Sequence, residues 1–464
     1  MVVFSPATIK FDYIERMILL KKIGLIVMLS SALLLSACSN NQGGDSKVET
    51  EGGQKTVVIS VMRKDRFLET AARQFEEQHK DIHIEMKEYK APEPAAEGGM
   101  GVESISLGDV EKYVQSVTTQ VISGKGADLI LMSELPQDKF VAQKLLVDLN
   151  DLLSKDNSFD QKALFSNILQ ASQDGEGLYA MPLSFSLSLF QGNTELLKKA
   201  NISVDVNKSW SWSQFKDLAK KLKEQGDAEK LISLDPLSLL FDFIDDNYAQ
   251  LVGQGQPNFD SDLFRNMMTD IKSMYDEGLL SDGMSFDNSN AAFQMVNVFS
   301  PEQALTKPKG MDYYQKPNVS GQKVGTPFQP TYSLGINSKS DVQQEAWAFI
   351  KFLLSEEMQA SPNLTGIPMN KGITDKKFKE TLQKIENGTL ETMIPLDMLP
   401  DGETVKKRIE AVEKLISETN FRRSSDMKVI TIVMEEFNSF MSGQKSAEEV
   451  SKLIQNRVKT YLNE

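Results

Sequence analysis

Thr56-Val57-Val58-Ile59-Ser60-Val61 is followed by Asp65 and then by Phe67, Leu68, Ala71, Ala72 and Phe75. The β-branched run reads as a buried strand, Asp65 as an N-cap, and the apolar spacing after it as one face of a helix. The same order recurs. Ile82 to Tyr89 alternates apolar and polar as a second strand, and beyond a Pro/Ala/Gly stretch from Ala91 to Gly101, Val110, Tyr113, Val114, Val117 and Val121 fall on one helical face. Ala127 to Met132 is a short apolar run fit for a buried strand, and Phe140 to Leu153 reads as helix. Strands alternating with helices predict an α/β unit on a largely parallel sheet.

Further along, Leu183, Phe185, Leu187 and Leu189 alternate with Ser184, Ser186 and Ser188, a strand with one apolar and one hydroxyl-bearing face. A mostly helical middle runs from Trp210 to Leu280, a Gly/Pro/Asn/Tyr-rich region from Phe299 to Pro330, and strand-like sequence from Tyr332 to Ile336. Glu345 to Leu354 and the Val450, Leu453, Ile454, Val458, Tyr461 series read as helices. There is no internal repeat.

The chain has 464 residues, long enough for more than one lobe. With 40% hydrophobic and 25% charged residues its balance is that of a globular protein. A net charge of −14 argues against a phosphate backbone as partner, so no nucleic-acid binding is expected. One cysteine and two histidines exclude a disulfide framework and a Cys/His zinc cluster.

Lys21 and Lys22 precede an apolar run from Ile23 to Leu35, too short to span a bilayer and suited to an export signal. The run ends in Leu35-Ser36-Ala37-Cys38, which resembles the lipobox of bacterial lipoproteins. That resemblance implies cleavage before Cys38, its lipidation, and anchoring on the extracytoplasmic face of the cell membrane. Asp12 and Glu15 ahead of the cationic segment make Met17 the expected start, and Ser39 to Gln54 reads as a flexible tether.

Several segments resemble, in the same order, the extracellular solute-binding proteins of family 1, receptors of ABC importers of which many bind sugars. They are Phe75-Glu76 before Ile82-His83-Ile84, Ser123-Gly124-Lys125-Gly126-Ala127-Asp128, and Asp174-Gly175 with Leu178-Tyr179-Ala180-Met181-Pro182. Asn193 with Leu196-Leu197-Lys198-Lys199-Ala200, Ser211-Trp212-Ser213-Gln214-Phe215, Leu334-Gly335-Ile336-Asn337 and Ala346-Trp347-Ala348-Phe349-Ile350 complete the set. The chain departs from the family at Gln191-Gly192, where many members carry aromatics, and at Asn290-Ala291-Ala292-Phe293.

The resemblance implies a two-lobed α/β fold of the periplasmic-binding-protein type (type II), with a central ligand cleft and a hinge. The expected division is 1–37 for N-terminal extension and signal, 38–54 for lipidated Cys38 and tether, 55–181 and 324–375 for lobe 1, and 182–323 and 376–464 for lobe 2. It also implies a monomer that hands a small-molecule solute, a sugar or oligosaccharide, to ABC permease subunits, with no cofactor and no catalysis. The alternatives are a surface-anchored carbohydrate-active enzyme and a ligand-sensing lipoprotein without a transporter.

His79 and His83 have zincin spacing, but Lys80 stands where the base should be and the period changes from helix to strand between them, so no metal site is expected. Asp242, Asp245 and Asp246 lack the glycine and distal glutamate of a calcium loop and read as a solvated acidic face. Carboxylates are too numerous for a glycosidase pair to be chosen. Arg63 and Asp65 after the first strand, and Ser133 and Glu134 after the Ala127 to Met132 strand, sit where ligands approach open parallel sheets. Ser184 and Ser186 on the crossing strand, with Phe299 and Tyr332 as aromatics for the cleft, complete the candidate ligand set. Tyr313 and Tyr314 read as surface loop, and Trp210, Trp212 and Trp347 as packing residues.

Overall fold

The computed structural model describes residues 53–90, 106–199, 201, 210–225, 230–253, 256–280, 291–318, 325–392, 394–424 and 426–463. The signal segment, Cys38 and residues 39–52 of the tether lie outside the described residues, as do Asn290 and the expected lobe boundary at 323/324. Among the described residues no helix is long and apolar enough to cross a membrane.

The opening stretch folds as strand β1 (Lys55–Val61) and helix α1 (Arg66–Gln78), with the Asp65 carboxylate accepting from the Leu68 amide at 2.9 Å. Then come β2 (Ile82–Glu88), α2 (Leu107–Ile122), β3 (Leu129–Leu131), α3 (Gln137–Ala142), α4 (Leu149–Lys155) and α5 (Ser166–Ala171). Where one helix was expected from Phe140 to Leu153 there are two, because Lys144 turns into the left-handed region at φ 57° between them.

Strand β4 (Met181–Asn193) leads to α6 (Thr194–Lys199), α7 (Trp212–Glu224), β5 (Lys230–Ile232), α8 (Pro236–Asp246), α9 (Tyr248–Leu251) and α10 (Asp262–Asp276). Next are β6 (Ala291–Val298), α11 (Pro301–Thr306), β7 (Met311–Tyr314) and β8 (Thr326–Ile336). The chain ends with α12 (Gln343–Leu353), α13 (Glu356–Ala360), β9 (Ile367–Pro368), α14 (Lys371–Glu386), α15 (Gly402–Ser417), β10 (Thr419–Arg422), α16 (Met427–Met441) and α17 (Ala447–Leu462).

One sheet runs in the order β2-β1-β3-β8-β4-β6-β5, with β10 on β8 and β7 and β9 on β4. It is mixed rather than largely parallel: β1 pairs parallel with β2 and β3, but β8 runs antiparallel to β3 and β4, and β4 antiparallel to β6. The thirteen-residue β4 is the long member. Its first half pairs with β8 from Met181↔Leu334 to Leu187↔Phe328, and its second half with β6 from Leu187↔Val298 to Gly192↔Phe293.

Along β4 the apolar core changes identity. Leu183, Phe185, Leu187 and Leu189 belong to a cluster with Val57, Ile59, Phe67, Phe75, Trp347 and Phe349, whereas Phe190 belongs to one with Phe215, Phe243, Phe264, Phe293 and Val433. Each fully buried Phe or Leu contributes roughly 1.5–3 kcal/mol, so each cluster is a core in its own right. Phe378, Val405, Val412, Leu415 and Ile416 pack in the first cluster, although the sequence reading assigned 376–464 to the second lobe. Only α16 and α17, beyond β10, join the second cluster.

Tyr313 and Tyr314 are not in a surface loop. They form part of β7 opposite Gln191 and Phe190 and are 7% and 5% exposed. A Cβ at Gly192 would lie 2.5 Å from the Tyr314 ring and 2.9 Å from that of Phe293, so the glycine makes room for aromatics arriving from neighbouring strands. Trp212 and Trp347 are buried, and Trp210 packs against the second cluster with its indole N–H donating to the Gln315 carbonyl at 2.6 Å.

Candidate functional site

Parallel pairing puts the C-terminal ends of β1 and β3 on one edge of the sheet, where side chains leaving adjacent strands meet. Arg63 and Asp65 follow β1, and Ser133 and Glu134 follow β3. Because β8 runs antiparallel to β3, its residues Ser333, Tyr332 and Thr331 pass the same edge in the opposite direction. The Met132 amide donates to the Ser333 carbonyl at 2.8 Å and the Ser133 hydroxyl to the Thr331 carbonyl at 2.9 Å.

Two predicted ligand residues touch directly: the Tyr332 hydroxyl donates to Asp65 Oδ2 at 2.9 Å. Asp65 Oδ1 is meanwhile occupied by the α1 cap, so this carboxylate is held from both sides. Burial, reinforced by the Asp65 charge, raises the Tyr332 pKa and keeps the phenol a donor. The ring lies 5.4 Å from that of Phe67, centroid to centroid.

Glu134 is open to solvent yet flanked by protein, and desolvation raises its pKa. Beside it the buried Tyr113 phenol is pushed up to about 12, first by desolvation and further by the Glu134 charge. Thr331 Oγ1 is buried with no hydrogen-bond partner among the described residues.

The other predicted residues sit differently. Ser184 is fully buried and donates to the Thr365 carbonyl at 2.6 Å, and Ser186 is 3% exposed within the sheet. Phe299, just past β6, is 42% exposed, and its amide donates to Gln303 Oε1 at 2.7 Å. The two histidines have separate surroundings: His79 stacks on Phe75 at 4.2 Å, and His83 Nδ1 lies 2.8 Å from Glu76 Oε1.

Ion pairs and a cation–π contact join Asp174, α2 and α3, the two helices packed in a third apolar cluster around Tyr113 and Phe140, to β10, α16 and α17. Arg422 reaches Asp174 at 2.9 Å and Asp138 at 3.4 Å, Lys428 reaches Glu111 at 2.6 Å, and Lys139 Nζ lies 4.8 Å from the Tyr461 ring centre. Tyr461 donates to Asp426 Oδ2 at 2.9 Å. Burial raises the pKa of both Asp138 and Asp426, with Arg422 opposing the rise at Asp138.

Asp242, Asp245 and Asp246 do not form a solvated acidic face. Lys316 Nζ lies 2.8 Å from Asp242 and 2.6 Å from Asp246, while Arg423 lies 2.7 Å from both and 3.3 Å from Asp245. Arg423 also donates to Ser188 Oγ at 3.2 Å. Lys316 and Arg423 are buried, and burying such charges is tolerable only because they neutralise one another. Although burial alone lowers the Arg423 pKa, the three carboxylates hold it above its ordinary value.

A cavity of about 450 Å³ opens elsewhere, lined by Asn167, Gln170, Asn247, Gln250, Asn420 and Phe421 among others, and no sequence-predicted residue lines it. Sequence reasoning also missed Thr331, Asp138, Arg422 and Arg423. For the arginines the available signal was only that two cations are adjacent in sequence.

A model of the bacterial extracellular solute-binding protein family matches residues 61–360, which include β2 to β8 and the whole strand-edge cluster. The chain belongs to that family. This solute-binding protein has the periplasmic-binding-protein-like fold of several solved structures. One is an ABC substrate-binding protein from Listeria monocytogenes in complex with cycloalternan: 17% identity, covering 88% of this chain and 99% of that one, TM-score 0.55. Another is the cyclic α-maltosyl-1,6-maltose binding protein from Arthrobacter globiformis: 11% identity, 88% and 99% covered, TM-score 0.54. A third is an ABC transporter solute-binding protein from Agrobacterium radiobacter in complex with ribitol: 17% identity, 88% and 98% covered, TM-score 0.53.

Proposed function

We propose that this solute-binding protein is the membrane-anchored receptor of an ABC importer, that its solute is a carbohydrate, and that it works by hinge closure without making or breaking a bond. The observation that carries the reading is the strand edge, where Arg63, Asp65, Ser133, Glu134 and Tyr332 bring charge-bearing and hydroxyl groups together beside the aromatic ring of Phe67. Ligated relatives in fold hold cycloalternan and ribitol, both polyhydroxylated and neutral. Hydroxyl groups suit fixed donors and acceptors of this kind, and sugar faces suit the exposed Phe299.

Lipidated Cys38 and the following tether hold the domain at the membrane. The lobes are centred on the two larger of three apolar clusters, with β4, β8 and β10 as the crossings and the third crossing at β10 rather than at 375. Ligand favours the closed arrangement to the extent that it makes contacts present only there. The Arg422, Lys428 and Lys139 contacts are the protein's own contribution to that arrangement.

The test is thermal melting of the purified full-length chain against neutral mono- and oligosaccharides, with amino acids and peptides as the contrasting class. Ligand at 100 times its Kd adds about 2.7 kcal/mol, an upward shift confined to one sugar class. Shifts with amino acids or peptides and none with sugars would overturn the carbohydrate assignment.

A further inference from the structure

Asp242, Asp245 and Asp246, at the end of α8, face two cations from other parts of the chain: Lys316, just after β7, and Arg423, just after β10. Three carboxylates against two cations leave, among the described residues, one negative charge in excess. Lys316, Asp242 and Arg423 are buried, and even the least covered member, Asp245, has a side chain only 23% exposed. An uncompensated charge so far from water neutralises itself by taking up a proton rather than staying ionised. We infer that the network holds one proton shared among its aspartates, and that this proton makes it a pH-responsive clamp joining α8 to the crossing strands β4, β8 and β10.

The distances show why the proton is shared. Asp242 and Asp246 each meet both cations, Lys316 at 2.8 and 2.6 Å and Arg423 at 2.7 Å, while Asp245 meets Arg423 at 3.3 Å. Carboxylates that compete for the same cations titrate as a unit rather than one by one. Burial raises the Asp246 pKa above the ordinary 3.8 and the Asp242 charge adds to the rise, with Lys316 and Arg423 opposing it. The surrounding titratable groups do not restore the balance. Tyr248 of α9 faces Asp245 with a phenol that burial keeps neutral, Arg422 is engaged by Asp138 and Asp174, and Glu418, reached by Gln315 at 3.1 Å, lies 3.7 Å from Lys414.

Arg423 carries the state of the network into the sheet. Its guanidinium donates to Ser188 Oγ of β4 at 3.2 Å, and its amide to the Phe328 carbonyl of β8 at 2.8 Å. With the proton in place the charges balance and these contacts hold. A carboxyl group whose folded pKa is raised stabilises the fold at low pH, and that contribution is lost as pH rises through the raised value. Above it the aspartates repel one another and the clamp on the crossing loosens. The inference goes beyond the solute reading and holds whatever the solute is.

The experiment follows hydrogen exchange at the amides of β10 and Arg423 in the full-length chain from about pH 5 to about pH 9, corrected for intrinsic exchange rates. Wild type is compared with Asp245→Asn, which leaves two carboxylates for two cations. Local opening in wild type is expected to rise by up to about tenfold per pH unit once the proton is lost, as linkage to one proton dictates, and to stay level in Asp245→Asn. Asp246→Asn gives the same charge balance should Asp245→Asn fail to fold. Carbon-13 NMR of the aspartate-labelled chain reads the proton with the network intact: one carboxyl signal titrates above the ordinary aspartate range and persists in Asp138→Asn and Asp426→Asn, the other aspartates shifted upward by burial. Parallel exchange profiles in wild type and the charge-balanced variant, or no such signal beyond those of Asp138 and Asp426, overturns the proposal.

Discussion

Arg422 and Arg423 are consecutive, and their guanidinium groups ion-pair in opposite directions: Arg422 with Asp138 on α3 and with Asp174, Arg423 with Asp242, Asp245 and Asp246 beside the second core. Extended backbone at the end of β10 explains the divergence, since successive side chains of a strand point to opposite faces. One peptide unit thus ties the third crossing to both halves of the molecule.

Replacing Arg423 by Leu leaves three aspartates facing Lys316 alone. Breaking a buried pair by removing one partner costs about 3–5 kcal/mol, and urea unfolding of Arg423→Leu should show a loss of that order. Arg422→Leu, whose partners are more accessible, should cost about 1 kcal/mol. Equal losses in the two variants would contradict the assignment of the buried network to Arg423.

Tyr332→Phe removes the donor to Asp65 and leaves the helix cap in place. A hydrogen bond to a charged group is worth about 1.5–3 kcal/mol, part of which water returns at this half-buried site. Stability should fall by about 1 kcal/mol while solute affinity falls about tenfold, read by calorimetry on the same preparation. A stability loss with unaltered affinity would place Tyr332 outside the binding machinery.

Gly366 has φ +103°, and a Cβ there would meet Ser184 Oγ at 2.7 Å and Thr331 Oγ1 at 2.9 Å. Gly366→Ala therefore combines a strained backbone with a clash beside the β4–β8 crossing, and should destabilise the chain by about 2 kcal/mol or more in thermal or urea unfolding. Ser184→Ala, by contrast, leaves the Thr365 carbonyl without its donor and should cost about 1–3 kcal/mol.

Glu134 predicts a pH dependence of defined sign. Its pKa is raised by desolvation above the ordinary 4.5, so the folded chain holds that proton more tightly than the unfolded one. Its contribution to stability is present below about 4.5 and is lost as pH rises through the folded value. Asp138, Asp246 and Asp426 shift in the same direction, so the informative quantity is the difference between wild type and Glu134→Gln. That difference should turn in favour of Glu134→Gln as pH rises from 4.5 to 7, with Tyr113 the facing titratable group. A pH-independent difference would show that Glu134 is fully solvated.

The order of β1, α1, β2, α2 and β3 was legible because each segment carries its own periodicity. The placement of Arg63, Asp65, Ser133 and Glu134 at one sheet edge was legible for a related reason: they follow β1 and β3, which are parallel neighbours. Tyr332 came from the family resemblance, and its bond to Asp65 spans 267 positions, beyond any local signal. The acidic run at 242–246 was misread because its cations lie far away in sequence, Lys316 at 74 positions and Arg423 at 181 from Asp242. Tyr313 and Tyr314 were hidden by Gly- and Pro-rich neighbours, in a four-residue strand whose stability comes from β4 rather than from its own pattern. Residues 376–417 show helical periodicity, but periodicity identifies an apolar face without saying which core receives it.

The central claim is that the Arg63, Asp65, Ser133, Glu134 and Tyr332 edge binds a carbohydrate without chemistry. The most direct measurement is a calorimetric titration of the full-length chain with the oligosaccharide that best raises its melting temperature, followed by recovery of the ligand. Saturable binding, loss of at least about tenfold in affinity in Arg63→Ala/Glu134→Ala, and an oligosaccharide recovered intact are the predicted results. Cleaved ligand, or affinity unchanged by those two substitutions, would contradict the account.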